Sequence, residues 1–112
     1  MVHADTFSAS HAMRDQTRLI TLAGDLDLAT APSLRSEFDY AVEQAPRAVV
    51  LDLSGLTFMD CAALRAVINF ADRAKACGWE LRIERPAASV AKIFALTGTA
   101  GKLPLSDAHD RR

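Results

Sequence analysis

Short apolar stretches separated by polar turns predict the strands of this chain. Residues 17–23 (TRLITLA) are apolar and rich in β-branched side chains, and residues 48–53 (AVVLDL) are almost entirely apolar, which is typical of a central strand. Residues 79–84 alternate between apolar and polar positions, as a strand with one buried face does. Residues 102–105 are a candidate for a short last strand, and residues 6–10 are a weaker candidate for an edge strand.

Apolar residues at helical spacing predict three helices between these strands. The first helix follows Thr30, which is expected to cap it, and has a proline in its first turn. The second begins after its expected cap, Asp60, and ends at Gly78. The third runs from Pro86 to Gly98. The three apolar faces comprise Leu34, Phe38, Ala41 and Val42; Leu64, Val67, Ile68, Ala71 and Ala74; and Val90, Ile93, Phe94 and Thr97.

The order of these elements, β-α-β-α-β-α, predicts an α/β fold in which parallel strands are joined by right-handed helical crossovers. The polar residues between the strand at 48–53 and Asp60 are expected to form a short loop. The chain has 112 residues, and 50% of them are hydrophobic. That length suits one domain with a single core.

The charge and hydropathy of the chain narrow the classes of partner. The formal net charge is −1, and Lys and Arg are scattered instead of clustered, which argues against binding to nucleic acid or to anionic lipid. The N-terminal residues lack the pattern of a secretory signal, and no apolar run reaches the length of a membrane span. We therefore expect a cytoplasmic protein that does not insert directly into membranes, with reduced cysteines.

Residues that could perform catalysis are sparse. The three histidines, His3, His11 and His109, lie near the termini, and none is at metal-ligand spacing within an element. Asp25 and Asp27 are two residues apart at a turn before a helix, where carboxylates commonly stabilise the turn and the helix dipole. No nucleotide-binding motif is present. We therefore expect no catalytic residues, no metal site, no cofactor and no enzymatic activity.

Three segments together resemble the STAS domain, in particular the bacterial anti-sigma factor antagonists. They are GDLDLATAPSLRSEF, VVLDLSGLTFMDCAALRAVI and GWELRIERPAASVAKIFALTG, and the resemblance extends over residues 17–105. It implies a mostly parallel sheet of four to five strands with helices mainly on one face, and an extra N-terminal strand at residues 6–10. Residues 1–105 are then expected to form a single STAS domain, and residues 106–112 a disordered tail.

The resemblance also implies a function and a mode of regulation. In that family, an anti-sigma factor with a serine-kinase ATPase domain binds the antagonist around the start of the second helix, and the sigma factor is released. Phosphorylation of a serine directly after the helix-start aspartate breaks the contact, and the usual pattern is Asp-Ser-Ser-Gly or Asp-Ser-Thr-Gly. Here Cys61 occupies the phosphoserine position, and Ala62 and Ala63 follow it. We therefore expect binding that is constitutive, or controlled by protein abundance or by thiol chemistry.

The same resemblance assigns the candidate partner-binding residues: Asp27, Met59, Asp60, Cys61, Ala62 and Ala63. Phe58 and Met59 are possible exposed anchors, although a phenylalanine at this position is expected to lie under the helix. Cys61 has two interpretations, as a redox-sensitive replacement for the phosphoserine or as a small neutral substitute for serine. An intramolecular disulfide with Cys77 is excluded while the helix is intact, because 16 residues of helix would separate the two by about 24 Å, and only an intermolecular disulfide remains open.

Two other functions remain open at this point. STAS domains also serve as accessory subunits of membrane transport ATPases or permeases, a role in which the helix-start residues need not be phosphorylated. A decoy or a stressosome-like scaffold, which would form oligomers, is a further alternative, and a homodimer also remains open.

Overall fold

The computed structural model describes residues 7–84 and 105–106. Five strands and two helices form in the order β1 (Phe7–Arg14), β2 (Thr17–Leu26), α1 (Ala31–Glu43), β3 (Ala48–Met59), α2 (Cys61–Cys77), β4 (Glu80–Glu84) and β5 (Leu105–Ser106). The helix predicted from Pro86 to Gly98 lies outside the described residues, as do residues 102–104 and most of the expected tail.

The strands form one sheet in the order β1-β2-β3-β4-β5. β1 runs antiparallel to β2, whereas the pairs β2–β3, β3–β4 and β4–β5 are parallel. The predictions of a mostly parallel α/β sheet and of a strand near the N-terminus are thereby confirmed. Since successive right-handed crossovers advance in one direction across the sheet, α1 and α2 lie on the same face.

The core lies between that face of the sheet and the two helices. At its centre the rings of Phe38 on α1 and Phe70 on α2 stack with their centroids 3.9 Å apart. Trp79 lies against Phe70 at 5.1 Å, as expected for a side chain that packs at a strand end. The predicted apolar faces of α1 and α2 are buried, except that Val42 and Ile68 are partly buried at the margin of the core.

The predicted helix ends are correct for α2 and only partly correct for α1. Asp60 is the N-cap of α2, and Gly78 ends the helix in the left-handed conformation, with φ of 81°. Thr30 occupies the N-cap position of α1 but makes no side-chain cap hydrogen bond. Its backbone is in the helical region, with φ of −99° and ψ of −8°. The hydroxyl instead accepts a hydrogen bond from the backbone N–H of Asp27 at 2.9 Å.

The expectation of a polar loop before Asp60 is wrong, because β3 continues to Met59. Two register shifts between β2 and β3 explain the error. Thr21 pairs with Asp52, whereas Asp25 pairs with Phe58, so β3 contains two more residues than β2 over this interval. Each shift inserts one extra outward-facing residue, so that buried positions recur every third residue, at Leu53, Leu56 and Met59.

Gly55 lies at the first of these bulges, where the two strands approach closely. A Cβ atom at this position would lie 3.0 Å from the carbonyl oxygen of Leu22 and 3.1 Å from the Cβ of Ala23. Glycine therefore permits the close approach that the bulge requires. The bulges in turn determine how the last residues of β3 are directed.

Candidate partner-binding surface at the start of α2

The predicted site residues lie at the carboxyl ends of β2 and β3, the edge at which open α/β sheets usually bind ligands. Leu26 pairs with Met59 where the two strands end. The backbone N–H of Asp60 donates to the carbonyl oxygen of Leu26 at 3.1 Å. The turn after β2 and the N-terminus of α2 are thus held side by side.

The carboxylate of Asp60 joins these two segments. Its Oδ1 accepts from the backbone N–H of Ala63 at 3.1 Å, which is the expected cap of α2. Its Oδ2 accepts from the backbone N–H of Leu28, in the turn after β2, at 3.0 Å. The sequence predicts the first bond from local spacing. The second joins residues 32 positions apart and has no local signal.

Asp25 and Asp27 stabilise the same turn, as their position before a helix predicts. The Asp27 carboxylate accepts from the backbone N–H of Thr30 at 3.1 Å and from the Thr30 hydroxyl at 3.2 Å. Asp25 Oδ1 accepts from the hydroxyl of Thr57 at 2.6 Å, which connects the end of β2 to β3. Both carboxylates are therefore engaged in shaping the turn, and Asp27 remains partly exposed.

The candidate partner-binding residues differ in how much of each side chain is exposed to solvent. Cys61 is exposed, whereas Asp60 and Ala62 are partly exposed. Met59 is 1% exposed and Ala63 is fully buried, so neither side chain reaches the surface. The interpretation of Met59 as an exposed anchor is wrong, because the three-residue spacing at the end of β3 directs this side chain into the core.

Two large apolar side chains are exposed at this end of the sheet. Leu28 is 75% exposed, and Phe58 is 47% exposed. The expectation that Phe58 lies under the helix is wrong, because the second bulge turns it outward. Leu28 was not predicted as a site residue; its only signal is a leucine within the otherwise small and polar turn of sequence DLAT, residues 27–30. We refer to Leu28, Phe58, Asp60, Cys61 and Ala62 as the α2-start surface.

The α2-start surface contains a carboxylate, a thiol and two large apolar side chains. Among the described residues, no group of three or more His, Cys, Asp or Glu side chains could hold a metal ion. Cys61 and Cys77 are both free thiols at opposite ends of α2, consistent with the helical distance that excludes a disulfide. Neither described helix has the length and apolar character needed to cross a membrane.

The comparison with solved structures identifies similar folds. An anti-sigma factor antagonist from Mycobacterium paratuberculosis is 20% identical with a TM-score of 0.80, covering 94% of this chain and 89% of that chain. Phosphorylated SpoIIAA, a Bacillus cell fate determinant, is 21% identical with a TM-score of 0.70, over 90% and 91% of the two chains. A variant of RsbS from Moorella thermoacetica is 17% identical with a TM-score of 0.73, over 88% and 85%.

These identities are low enough that the structural similarity concerns the fold alone. The assignment to a family rests instead on the sequence: a family model described as "Mlab, STAS domain" matches residues 9–105 and thus most of the chain. The protein therefore belongs to the STAS domain family.

Proposed function

We propose that this protein is a regulatory binding module of the anti-sigma factor antagonist type. It binds an anti-sigma factor that has a serine-kinase ATPase domain, and so frees a sigma factor. The observation that carries the proposal is the α2-start surface, in which Leu28 and Phe58 project into solvent beside Asp60 and Cys61.

The apolar part of this surface supports a protein partner. Exposed large apolar side chains that lie together commonly mark interaction sites, and buried aromatic side chains often supply much of the binding energy. Leu28 is attached through its backbone N–H to Asp60, and Phe58 lies at the end of β3 beside Asp25. Both anchors are therefore mounted on hydrogen-bonded backbone, which lowers the entropy cost of ordering them in a complex.

The absence of a hydroxyl group at residues 61–63 supports constitutive binding. In the family, a phosphate at the first of these positions would add about −1.5 to −2 charges beside the Asp60 carboxylate. Cys61 and the two alanines cannot accept that group. The hydroxyls of Thr30 and Thr57 lie nearby but already make hydrogen bonds to Asp27 and Asp25. Binding in this protein is therefore controlled by its abundance or by the thiol of Cys61.

A second candidate function is that of an accessory subunit of a membrane transport ATPase or permease. The helix start Asp-Cys-Ala-Ala favours it, because such a subunit needs a docking surface and no phosphorylatable residue. In this case the α2-start surface docks on the cytosolic ATPase or permease, and Cys61 is an ordinary residue of that contact.

Affinity capture separates the two functions. The tagged full-length protein is captured from its native cell lysate under reducing conditions, and the bound proteins are identified by mass spectrometry. Recovery of a soluble histidine-kinase-like ATPase supports the anti-sigma factor antagonist. Recovery of a membrane transport ATPase or permease supports the accessory subunit instead, and recovery of neither class contradicts both.

We expect Cys61→Ser to restore regulation by phosphorylation if the antagonist function is correct. The introduced hydroxyl would lie at the exposed start of α2, where the captured kinase could transfer the γ-phosphate of ATP to it. The added charge should then release the partner. Phosphate incorporation is measured by intact-protein mass spectrometry and partner release by gel filtration.

Cys77→Ser is the matched control, because it makes the same exchange at an exposed cysteine at the other end of α2. It should take up no phosphate. A Cys61→Ser protein that binds the kinase well yet remains unmodified would show that residue 61 is not equivalent to the regulated serine.

A further inference from the structure

The exposed large apolar side chains mark a second surface, distant in the sheet from the α2-start surface. Met13 on β1 and Tyr40 on α1 are each about half exposed. The ring of Tyr40 lies edge-on to that of His11, with centroids 5.3 Å apart, so Tyr40 lies beside β1. Both side chains therefore lie on the helix side of β1. The outer edge of β1 is the side of the strand that faces away from β2. We call this the β1 edge.

The β1 edge lacks the features that usually protect an edge strand. All eight residues of β1 pair with β2 in one continuous register, without a bulge. The sequence FSASHAMR contains no proline and no lysine, and its only formally charged residue, Arg14, is the last. Within the described part of the chain, no strand pairs with the outer side of β1. An edge of this kind presents backbone N–H and C=O groups that can pair with another strand.

A polar cluster holds this edge in a fixed position against α1. His11 Nε2 lies 2.6 Å from Glu37 Oε1, and the Arg18 guanidinium lies 3.1 Å from His11 Nδ1. The same guanidinium lies over the ring of Tyr40, 5.3 Å from its centroid. Arg18 is itself buried. The cluster thus connects β1, β2 and α1, with Tyr40 packed against both His11 and Arg18.

We infer that β1 pairs antiparallel with β1 of a second copy of this chain, about a two-fold axis through Ser10. A two-fold axis perpendicular to the sheet keeps the helices of both copies on one side. Residues opposite each other in an antiparallel pair point to the same face of the sheet, and along one strand only residues an even number of positions apart share a face. When a strand pairs with its own copy, the sequence numbers of two opposed residues must therefore add up to an even number. Only axes that pass through a residue of β1 meet this condition.

Among these axes, the one through Ser10 fits the side chains best. It places Phe7 of each copy opposite Met13 of the other, and so covers exposed apolar surface on the helix side. On the other side it opposes the exposed residues Ser8 and Ala12, and Ser10 with itself. An axis through His11 would set two histidines against each other, and one through Ala9 would place Met13 opposite a position that precedes the described strand, which begins at Phe7.

A second copy is favoured over an unrelated strand because the pairing is self-complementary. Each copy then pairs with the outer side of β1 of the other, in one closed contact about the two-fold axis. The α2-start surface lies at the carboxyl ends of β2 and β3 and at the start of α2, and none of its residues is on β1. The inference is therefore independent of the proposed function.

Charges introduced at Ser10 test the contact. The full chain is studied by gel filtration with light scattering from micromolar to millimolar concentration, where the wild type should show a monomer–dimer equilibrium. Ser10→Lys and Ser10→Asp each place like charges opposite each other on the axis, and we expect self-association to weaken roughly five- to tenfold. An equimolar mixture of the two variants should recover dimers, seen as heterodimers by native mass spectrometry.

Ser54→Lys is the matched control, since it adds the same charge at an exposed serine on β3 and should leave self-association unchanged. Circular dichroism verifies that each variant is folded. A wild type that stays monomeric throughout would overturn the inference. So would dimers that both Ser10 variants leave intact, or a mixture of folded variants that forms no heterodimer. A wild-type monomer that captures an extended segment of a different protein at this edge would assign the edge to that partner and likewise overturn the dimer.

Discussion

Leu28→Asp and Phe58→Asp are each expected to weaken binding of the captured partner by about 2 kcal/mol, close to thirtyfold in Kd. Both side chains are exposed in the free protein and would be covered in the complex. A carboxylate at either position would have to lose its hydration inside an apolar contact. The Kd is measured by isothermal titration calorimetry with the purified partner.

The stability of these variants should change little, because substitutions at exposed positions usually alter the free energy of unfolding by less than about 0.5 kcal/mol. Leu19→Asp is the matched control: Leu19 is also an exposed leucine, but it lies on β2 away from the α2-start surface. It should bind the partner as the wild type does. If Leu28→Asp and Phe58→Asp also bind normally, the partner does not use this surface.

Asp60→Ala is expected to lower the free energy of unfolding by about 2 kcal/mol, because it removes two hydrogen bonds at once. The lost acceptors serve the backbone N–H groups of Ala63 and Leu28. Urea denaturation followed by circular dichroism measures this change. We also expect weaker partner binding, because Leu28 would no longer be held beside the start of α2.

Asp60→Asn separates the two roles of the carboxylate. Its amide oxygen can still cap α2, whereas its NH₂ group would face the N–H of Leu28 and could not accept from it. We therefore expect roughly half of the loss seen for alanine. Asp39→Ala, which removes only an exposed ion pair with Arg73, should cost less than either. Equal stability of Asp60→Ala and the wild type would contradict the bridging role of Asp60.

Much of the fold follows from patterns that are local in the sequence. The helical spacing of apolar residues predicts α1 and α2, and Asp60 and Gly78 mark the ends of α2 because caps depend on neighbouring residues. The strand at 48–53 was predicted too short. Bulges break the two-residue alternation by which a strand is recognised, and here they depend on how β3 fits against β2.

The candidate site was predicted less completely, because its geometry joins residues that are distant in the chain. The bond from Leu28 to Asp60 and the outward direction of Phe58 both depend on the paired ends of β2 and β3. The contact between His11 and Glu37 also joins residues that are distant in the chain. No acidic residue stands at ligand spacing from His11 within β1, yet the fold brings Glu37 to its side chain from 26 residues away.

The bridge made by Asp60 has a consequence for the kinetics of recognition. Because one carboxylate holds both the turn after β2 and the first turn of α2, the proposed partner would meet a surface that is already ordered. Association then needs no slow rearrangement, and its rate is set by diffusion and orientation of the two proteins. Differences among partners, or a change in the oxidation state of Cys61, would therefore alter mainly the lifetime of the complex.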